Sequence, residues 1–126
     1  MNRMRHGQQQ CGKRLGGTLE LMESCILLTL KKQAGHGYEI ARSLDKHGMC
    51  KRGLGPLYTI LNKMEERGLI KSQWDTSTKH GPARRIYEIT EGGVIHLEGL
   101  VAILQETLKT VSSVIDEFKS NSGEKT

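Results

Sequence analysis

The sequence predicts a mainly α fold with one small β-hairpin and a long C-terminal helix, and three observations lead to it. Apolar residues recur at helical spacing in four separate segments. A single pair of segments with alternating polarity follows the third of these. Glycine accounts for 15 of the 126 residues, well above its usual share of about 7%. This glycine content indicates several short elements joined by turns.

The first two helices are predicted to be short and to be separated by Gly35. The first covers residues 19–32, and its apolar stripe consists of Leu19, Met22, Ile26 and Leu30. The second begins near His36 or Gly37 and ends at Gly48. Its predicted buried residues are Ile40, Ala41 and Leu44. Each helix therefore offers one narrow apolar face to a shared core.

The third helix has the clearest boundaries, because Pro56 suits the first helical position and Gly68 suits a helix end. The residues predicted to face the core are Leu57, Ile60, Leu61 and Met64. The opposite side is polar and carries Tyr58, Thr59, Asn62, Lys63 and Glu66. Hydroxyl, amide and ammonium groups are those that contact base edges and phosphates. An ordinary solvated helix face is the alternative, and this helix alone leaves both open.

A β-hairpin follows the third helix, with strands predicted at residues 70–75 and 85–89. The polar link between them, residues 76–84, contains Gly81 and Pro82, and the tip with Lys79, Arg84 and Arg85 holds no acid. A basic tip of this kind suits a phosphate backbone or a minor groove. A charged turn that merely keeps the hairpin soluble is the alternative. Three short helices followed by a basic hairpin are the order of a winged helix-turn-helix, here predicted over residues 18–90.

The last helix is predicted over residues 91–120, with Thr90 as its N-cap and with a disordered tail at 121–126. Its apolar residues recur at alternating steps of three and four, which is the a/d pattern of a coiled coil. These residues are Val94, Leu97, Val101, Leu104, Leu108, Val111, Ile115 and Phe118. A helix of about 45 Å is too long for a small domain to cover, so a twofold dimer is predicted. Packing against the first helix of the same chain is the alternative.

The net charge of +5 is uneven along the chain. Residues 1–17 contain four bases and no acid, which predicts a flexible arm that either contacts phosphates or has no specific role. No apolar segment is long enough for a membrane span or a signal peptide, so a cytoplasmic protein is expected. The histidines and cysteines show neither zinc-ligand spacing nor a catalytic set. We therefore expect no enzyme activity, cofactor or metal. Thiol sensing is an alternative role, for which Cys50, next to two bases, is a better candidate than Cys25 in an apolar helix.

Several short motifs, taken together, resemble one family of proteins. Residues 35–40 (GHGYEI), 55–61 (GPLYTIL), 65–70 (EERGLI), 81–87 (GPARRIY) and 90–93 (TEGG) are similar to motifs of PadR-like transcriptional regulators, in the same order and at similar spacing. The resemblance covers about residues 18–118. The single C-terminal helix resembles the short subfamily. It implies a dimeric bacterial repressor that binds a palindromic operator in double-stranded DNA.

The resemblance also implies residue roles. It assigns DNA contact to Tyr38, Tyr58, Thr59, Asn62, Lys63, Lys79, Arg84 and Arg85. His36 is interpreted as a cap or packing residue. Family members respond to phenolic acids, drugs or other small molecules, and some have no known ligand, so the resemblance allows a small-molecule effector without requiring or identifying one. The competing hypothesis is a protein–protein adaptor that dimerises through its last helix without binding DNA.

Overall fold

The computed structural model describes residues 18–49, 54–77 and 83–125. Within these ranges it contains four helices and three strands, in the predicted order apart from one additional strand. They are α1 (Thr18–Lys32), β1 (Gly35–His36), α2 (Gly37–Lys46), α3 (Leu54–Glu66), β2 (Ile70–Asp75), β3 (Arg84–Ile89) and α4 (Glu91–Lys125). The predicted arm at 1–17, Lys79 and Cys50 lie outside the described residues. The mainly α fold with a small hairpin is confirmed.

The helix ends follow from local chemistry. In α1, Glu20 lies in the first turn and Lys31 in the last, which complements the helix dipole at both ends. Gly48 and Gly68 adopt φ values of +80° and +79°, the left-handed conformation that terminates helices. Helix α3 begins at Leu54 rather than at Pro56, so the proline is its third residue. Proline is tolerated there because the first-turn N–H groups need no helical partner.

Strand β1 was not predicted. It has only two residues, and it pairs antiparallel with β3 through Gly35–Tyr87 and His36–Ile86. The sheet order is therefore β1-β3-β2, with β3 in the centre. Two residues are too few to show an alternating pattern, and only their pairing with a distant strand identifies them as a strand. Strand β1 brings the start of α2 against the hairpin.

One aliphatic core joins the helices to the sheet. Its buried members are Cys25, Ile26, Leu27, Leu30, Ile40, Leu44, Leu57, Leu61, Met64, Leu69, Ile70, Tyr87, Leu97 and Leu100. The predicted stripe of α1 was wrong at Leu19, which is 53% exposed because it lies in the first turn, beyond the end of the core. Ile60 and Ala41 are partly buried and pack against the margin of this core. The core side of α3 is otherwise confirmed.

Helix α4 differs from its prediction in two ways. It continues to Lys125, where a disordered tail was expected from 121; no proline interrupts this segment. In addition, Leu97 is only 5% exposed within the single chain, because α1 packs against the first turns of α4. The apolar repeat of α4 is therefore covered by α1 near its start and is left uncovered further along. A heptad pattern predicts that a face is covered, and it does not say by which helix.

The junction between β3 and α4 is anchored to the turn after α3. Thr90 is the N-cap of α4, since its hydroxyl oxygen accepts a hydrogen bond from the backbone N–H of Gly93 at 3.0 Å, as predicted. The same hydroxyl donates to the carbonyl oxygen of Gly68 at 2.6 Å. The backbone N–H of Thr90 donates to the carbonyl of Leu69 at 3.1 Å. The start of α4 thus lies directly on the backbone that leads into β2.

A buried carboxylate fastens α4 to the rest of the domain. The Glu23 side chain on α1 is 8% exposed, and it accepts a hydrogen bond from Arg67 Nη1 at 2.9 Å. Its other oxygen lies 3.4 Å from His96 Nε2 on α4. Arg67 directly follows the last residue of α3. Glu23 therefore connects α1, the end of α3 and the start of α4, and loss of Arg67 would leave this buried carboxylate without its cation, which is expected to be costly.

Candidate nucleic-acid interface

The outward side of α3 is exposed as predicted. Tyr58, Thr59, Asn62 and Lys63 are all accessible to solvent, whereas Leu57, Leu61 and Met64 on the other side are buried. Helical periodicity places these four polar residues on one side of the helix. Because the apolar side is fixed in the core, α3 presents a phenol, a hydroxyl, an amide and an ammonium group on one outward surface.

Tyr38 and Tyr58 are brought to the same place by a close helix contact. A Cβ atom at Gly37, the first residue of α2, would lie only 2.6 Å from the Tyr58 hydroxyl oxygen. The Tyr58 phenol therefore rests on the backbone of Gly37, where a side chain would displace it. Tyr38 is the next residue along and is 44% exposed. The two tyrosines thus extend the outward surface of α3 onto the start of α2.

We call β2, β3 and the loop between them the wing. Arg84 is exposed and makes no ion pair within the described part of the chain. Arg85 is different, because it is partly buried and its guanidinium carbon lies 5.0 Å from the centre of the Trp74 ring. Its Nε atom is buried and has no hydrogen-bond partner among the described residues. Of the two predicted wing bases that the structure describes, Arg84 is therefore the one whose side chain is exposed.

The side of the wing away from α3 is tied to the start of α2. His36 Nε2 lies 2.8 Å from Asp75 Oδ2, and the Ser77 hydroxyl donates to Asp75 Oδ1 at 2.6 Å. The hydrogen bonds from the Ser77 side chain and backbone, together with that from His36, lower the pKa of Asp75 from 3.8 to about 2. His36 also begins α2, since its backbone N–H donates to Glu39 Oε1 at 2.7 Å. The His36–Asp75 contact was not predicted, because no periodicity relates residues so far apart in the chain.

The lowered pKa of Asp75 predicts that the free energy of unfolding depends on pH under acidic conditions. The pKa of Asp75 is lower in the folded chain than in the unfolded chain, so its contribution to stability is present above about pH 4. That contribution is lost as the pH falls toward 2. We expect Asp75→Asn to reduce the pH dependence of unfolding between pH 4 and pH 2, measured by urea titration at several pH values. Asp116→Asn, at an exposed position on α4, is the control, and equal pH profiles for the two variants would contradict the prediction.

The predicted dimer residues of α4 divide into two groups. Leu97 is in the core, and Val94 and Leu104 are partly buried. The others remain exposed in the single chain, and they are Val101, Leu108, Val111, Ile115 and Phe118. Leu108 and Phe118 are 65% and 70% exposed, and we call these five residues the seam. A continuous exposed apolar stripe of this kind marks an interaction site.

Three further observations on the described residues concern metal binding, the free thiol and membrane insertion. No group of three or more His, Cys, Asp or Glu side chains in this part of the chain could hold a metal ion. Cys25 is a buried free thiol, with its sulfur 3.5 Å from His47 Nδ1. None of the described helices has a stretch both long and apolar enough to cross a membrane.

Comparisons with known proteins identify a family that matches more than half of the chain. Residues 26–99 match the model of the transcriptional regulator PadR-like family. The chain is similar to the crystal structure of a PadR-like transcriptional regulator from Bacillus cereus, with 28% identity, a TM-score of 0.69, and coverage of 80% of this chain and 97% of that one. A PadR-like transcription factor from Bacteroides fragilis shows 29% identity and a TM-score of 0.63, with 76% and 91% covered.

A third structure shares the fold alone. The circadian clock associated protein Pex from Anabaena has 21% identity and a TM-score of 0.56, with 75% of this chain and 83% of that chain covered. The search of curated proteins found no match.

Proposed function

The chain belongs to the PadR-like family of transcriptional regulators, and from this premise we propose that it is a dimeric repressor that binds a palindromic operator in double-stranded DNA. As a member of this family it is a transcription regulator and not an enzyme. The observation that carries the proposal is the exposed polar side of α3, continued by Tyr38 and flanked by the wing. The family match spans α2, α3, the wing and the start of α4, which are the elements of a winged helix-turn-helix reader.

In this proposal α3 enters the major groove. Asn62 supplies an amide that pairs with adenine in two hydrogen bonds, and Thr59 reads an adjacent base edge. Lys63 and the hydroxyl groups of Tyr38 and Tyr58 contact phosphates, which fix the position of the helix without reading the sequence. Lys79, Arg84 and Arg85 were predicted as wing contacts, and Arg84 is the clearest phosphate contact among the described residues.

Dimerisation supplies a second α3 helix, which reads the second half-site of the operator. Two copies of α4, paired along the seam, bury an apolar stripe that one chain exposes. The twofold axis then relates two α3 helices, so the operator is an inverted repeat with half-sites about 34–36 Å apart or a multiple of that distance. We further propose that the protein acts in the cytoplasm and that a small-molecule effector releases it from DNA. Phe118 is the single aromatic residue of α4, which disfavours an effector sandwiched between rings at the seam.

The direct test is footprinting on the DNA upstream of the gene that encodes this chain. We expect the purified protein to protect an inverted repeat there, with an affinity that falls steeply with salt through counterion release. A fragment of the same length and base composition with a scrambled repeat is the control. Absence of salt-dependent binding to any promoter fragment, with a dimer still present, would favour the protein–protein adaptor.

Arg84 allows a quantitative test of the wing. We expect Arg84→Ala to weaken binding to all DNA sequences alike and to lower the slope of log affinity against log salt by about 1, because one phosphate contact is lost. Lys71→Ala is the matched control, since Lys71 is an exposed base in the same hairpin, 3.6 Å from Glu88. The slopes come from fluorescence anisotropy at several salt concentrations. An unchanged slope for Arg84→Ala would remove this residue from the phosphate contacts.

A further inference from the structure

The wing carries an exposed tryptophan that the residue roles above leave unused. Trp74 is the only tryptophan in the chain, and 59% of its surface is accessible. Tyr87, on the neighbouring strand, is fully buried. An indole ring has a large apolar surface and one N–H donor with no acceptor. A ring of this kind left in water is suited to a partner that offers both apolar surface and hydrogen-bond acceptors.

Arg85 holds this ring in place. The two residues lie directly opposite each other in the antiparallel pairing of β2 with β3, where side chains are neighbours. The guanidinium carbon is 5.0 Å from the ring centre, which is within the range of a cation–π interaction. The buried and unpartnered Nε atom of Arg85 shows that part of its head group faces inward. Arg85 is therefore oriented toward the tryptophan and the protein interior rather than toward solvent.

The ring lies on the same side of the sheet as α3. Ser72 and Tyr87 face α3, since the Ser72 hydroxyl donates to Glu65 at 2.9 Å and the Tyr87 side chain is in the core. Alternate residues of a strand share a face, so Trp74 and Arg85 are the next pair on this side, one step nearer the loop of the wing. Trp74 thus lies on the α3 side of the sheet, near the end of β2.

We propose that Trp74 is a DNA contact of the wing, with its ring face against a deoxyribose and its Nε1–H donating to a phosphate oxygen, and that Arg85 is a positioning residue that holds the ring. This inference rests on the proposed DNA-binding function. Deoxyribose carbons and phosphate oxygens supply the apolar surface and the acceptors that the exposed indole lacks in the free chain.

The single tryptophan allows a direct test on the unmodified protein. Its fluorescence is quenched by acrylamide, a neutral quencher, before and after addition of the promoter duplex identified by footprinting. We expect quenching to fall severalfold when the duplex is bound, because the DNA covers the ring. The scrambled duplex, added at concentrations where anisotropy shows no binding, is the control and should leave quenching unchanged. If the promoter duplex binds and quenching stays the same, Trp74 is not a contact.

Substitutions at Trp74 and Arg85 distinguish a residue that contacts DNA from a residue that only holds the tryptophan ring. We expect Trp74→Ala to weaken binding about tenfold, from the loss of buried ring surface, and Trp74→Phe to weaken it less, because the phenyl ring keeps the apolar face and lacks the N–H. Arg85→Gln should also weaken binding while leaving the salt slope unchanged, in contrast to Arg84→Ala. A slope lowered by about 1 in Arg85→Gln would make Arg85 a phosphate contact and overturn its positioning role.

The outcomes distinguish this inference from the function on which it rests. If the unmodified protein binds no promoter DNA, both are wrong. If it binds the promoter duplex, the proposed function stands, and the quenching result decides the role of Trp74 alone. Circular dichroism of each variant confirms folding, and the quenching experiment on the unmodified chain needs no variant.

Discussion

Replacing both Leu108 and Ile115 by glutamate is expected to convert the protein to a monomer and to lower its operator affinity by two orders of magnitude or more, the scale that linking two binding modules typically contributes. Both residues belong to the seam, and in the single chain they are 65% and 45% exposed. In a dimer each new carboxylate would be buried against the partner helix without a cation. Burial of unpaired charges of the same sign strongly opposes association.

Sedimentation equilibrium measures the oligomeric state, and anisotropy with the promoter duplex measures affinity. The matched control is Ala102→Glu combined with Ser113→Glu, which adds the same charge at exposed positions on the opposite side of α4. This control should remain dimeric and lose little affinity beyond the repulsion of the added charge from DNA. A Leu108→Glu, Ile115→Glu protein that is still a dimer would show that the seam is not the dimer interface.

Gly93→Ala is expected to destabilise the fold by about 3 kcal/mol, as a strongly overpacking substitution does. A Cβ atom at this position would overlap the backbone carbonyl oxygen of Leu69 and would lie 2.7 Å from Ile89 Cγ1. The Leu69 carbonyl already accepts the hydrogen bond from Thr90, so it cannot move without loss of that contact. The start of α4 must therefore shift away from the turn that precedes β2.

Thermal unfolding measures this effect, and the midpoint is expected to fall by about 10 °C or more. Gly99→Ala is the control in the same helix, because a Cβ atom at Gly99 meets nothing within 4 Å. Alanine has the higher helix propensity, so this variant should gain about 1 kcal/mol. Equal unfolding midpoints for the two variants would mean that α4 does not approach Leu69 closely enough to exclude a side chain.

The parts of the fold that could be predicted are those set by local pattern. The end of α3 followed from Gly68, the hairpin from alternation, and the cap of α4 from Thr90. Strand β1 could not be predicted, because it exists only through its pairing with β3. The burial of Leu97 against α1 could not be predicted either, because a periodic pattern indicates that a face is covered and does not say which helix covers it.

The site was predictable to a similar extent. Helical periodicity placed Tyr58, Asn62 and Lys63 on an exposed side, because their neighbours Leu57 and Leu61 had to be buried. Arg84 and Arg85 were both predicted to contact DNA, although adjacent strand residues face opposite sides of a sheet. A consideration of that alternation together with Trp74 would have suggested that one arginine pairs with the ring. The His36–Asp75 contact depends on three-strand pairing and has no local signal.

The buried Glu23 side chain would affect which distance between operator half-sites a dimer can bind. In the proposed dimer, each protomer would move as one rigid unit about the seam, because this carboxylate connects the end of α3 to the start of α4. A change in the angle between the two α4 helices would then alter the distance between the reading helices and leave the shape of each protomer unchanged. A ligand bound between the two α4 helices could thus release the protein from its operator by changing the distance between the two α3 helices. Base pairs inserted between the half-sites would create the same mismatch of distances by changing the DNA.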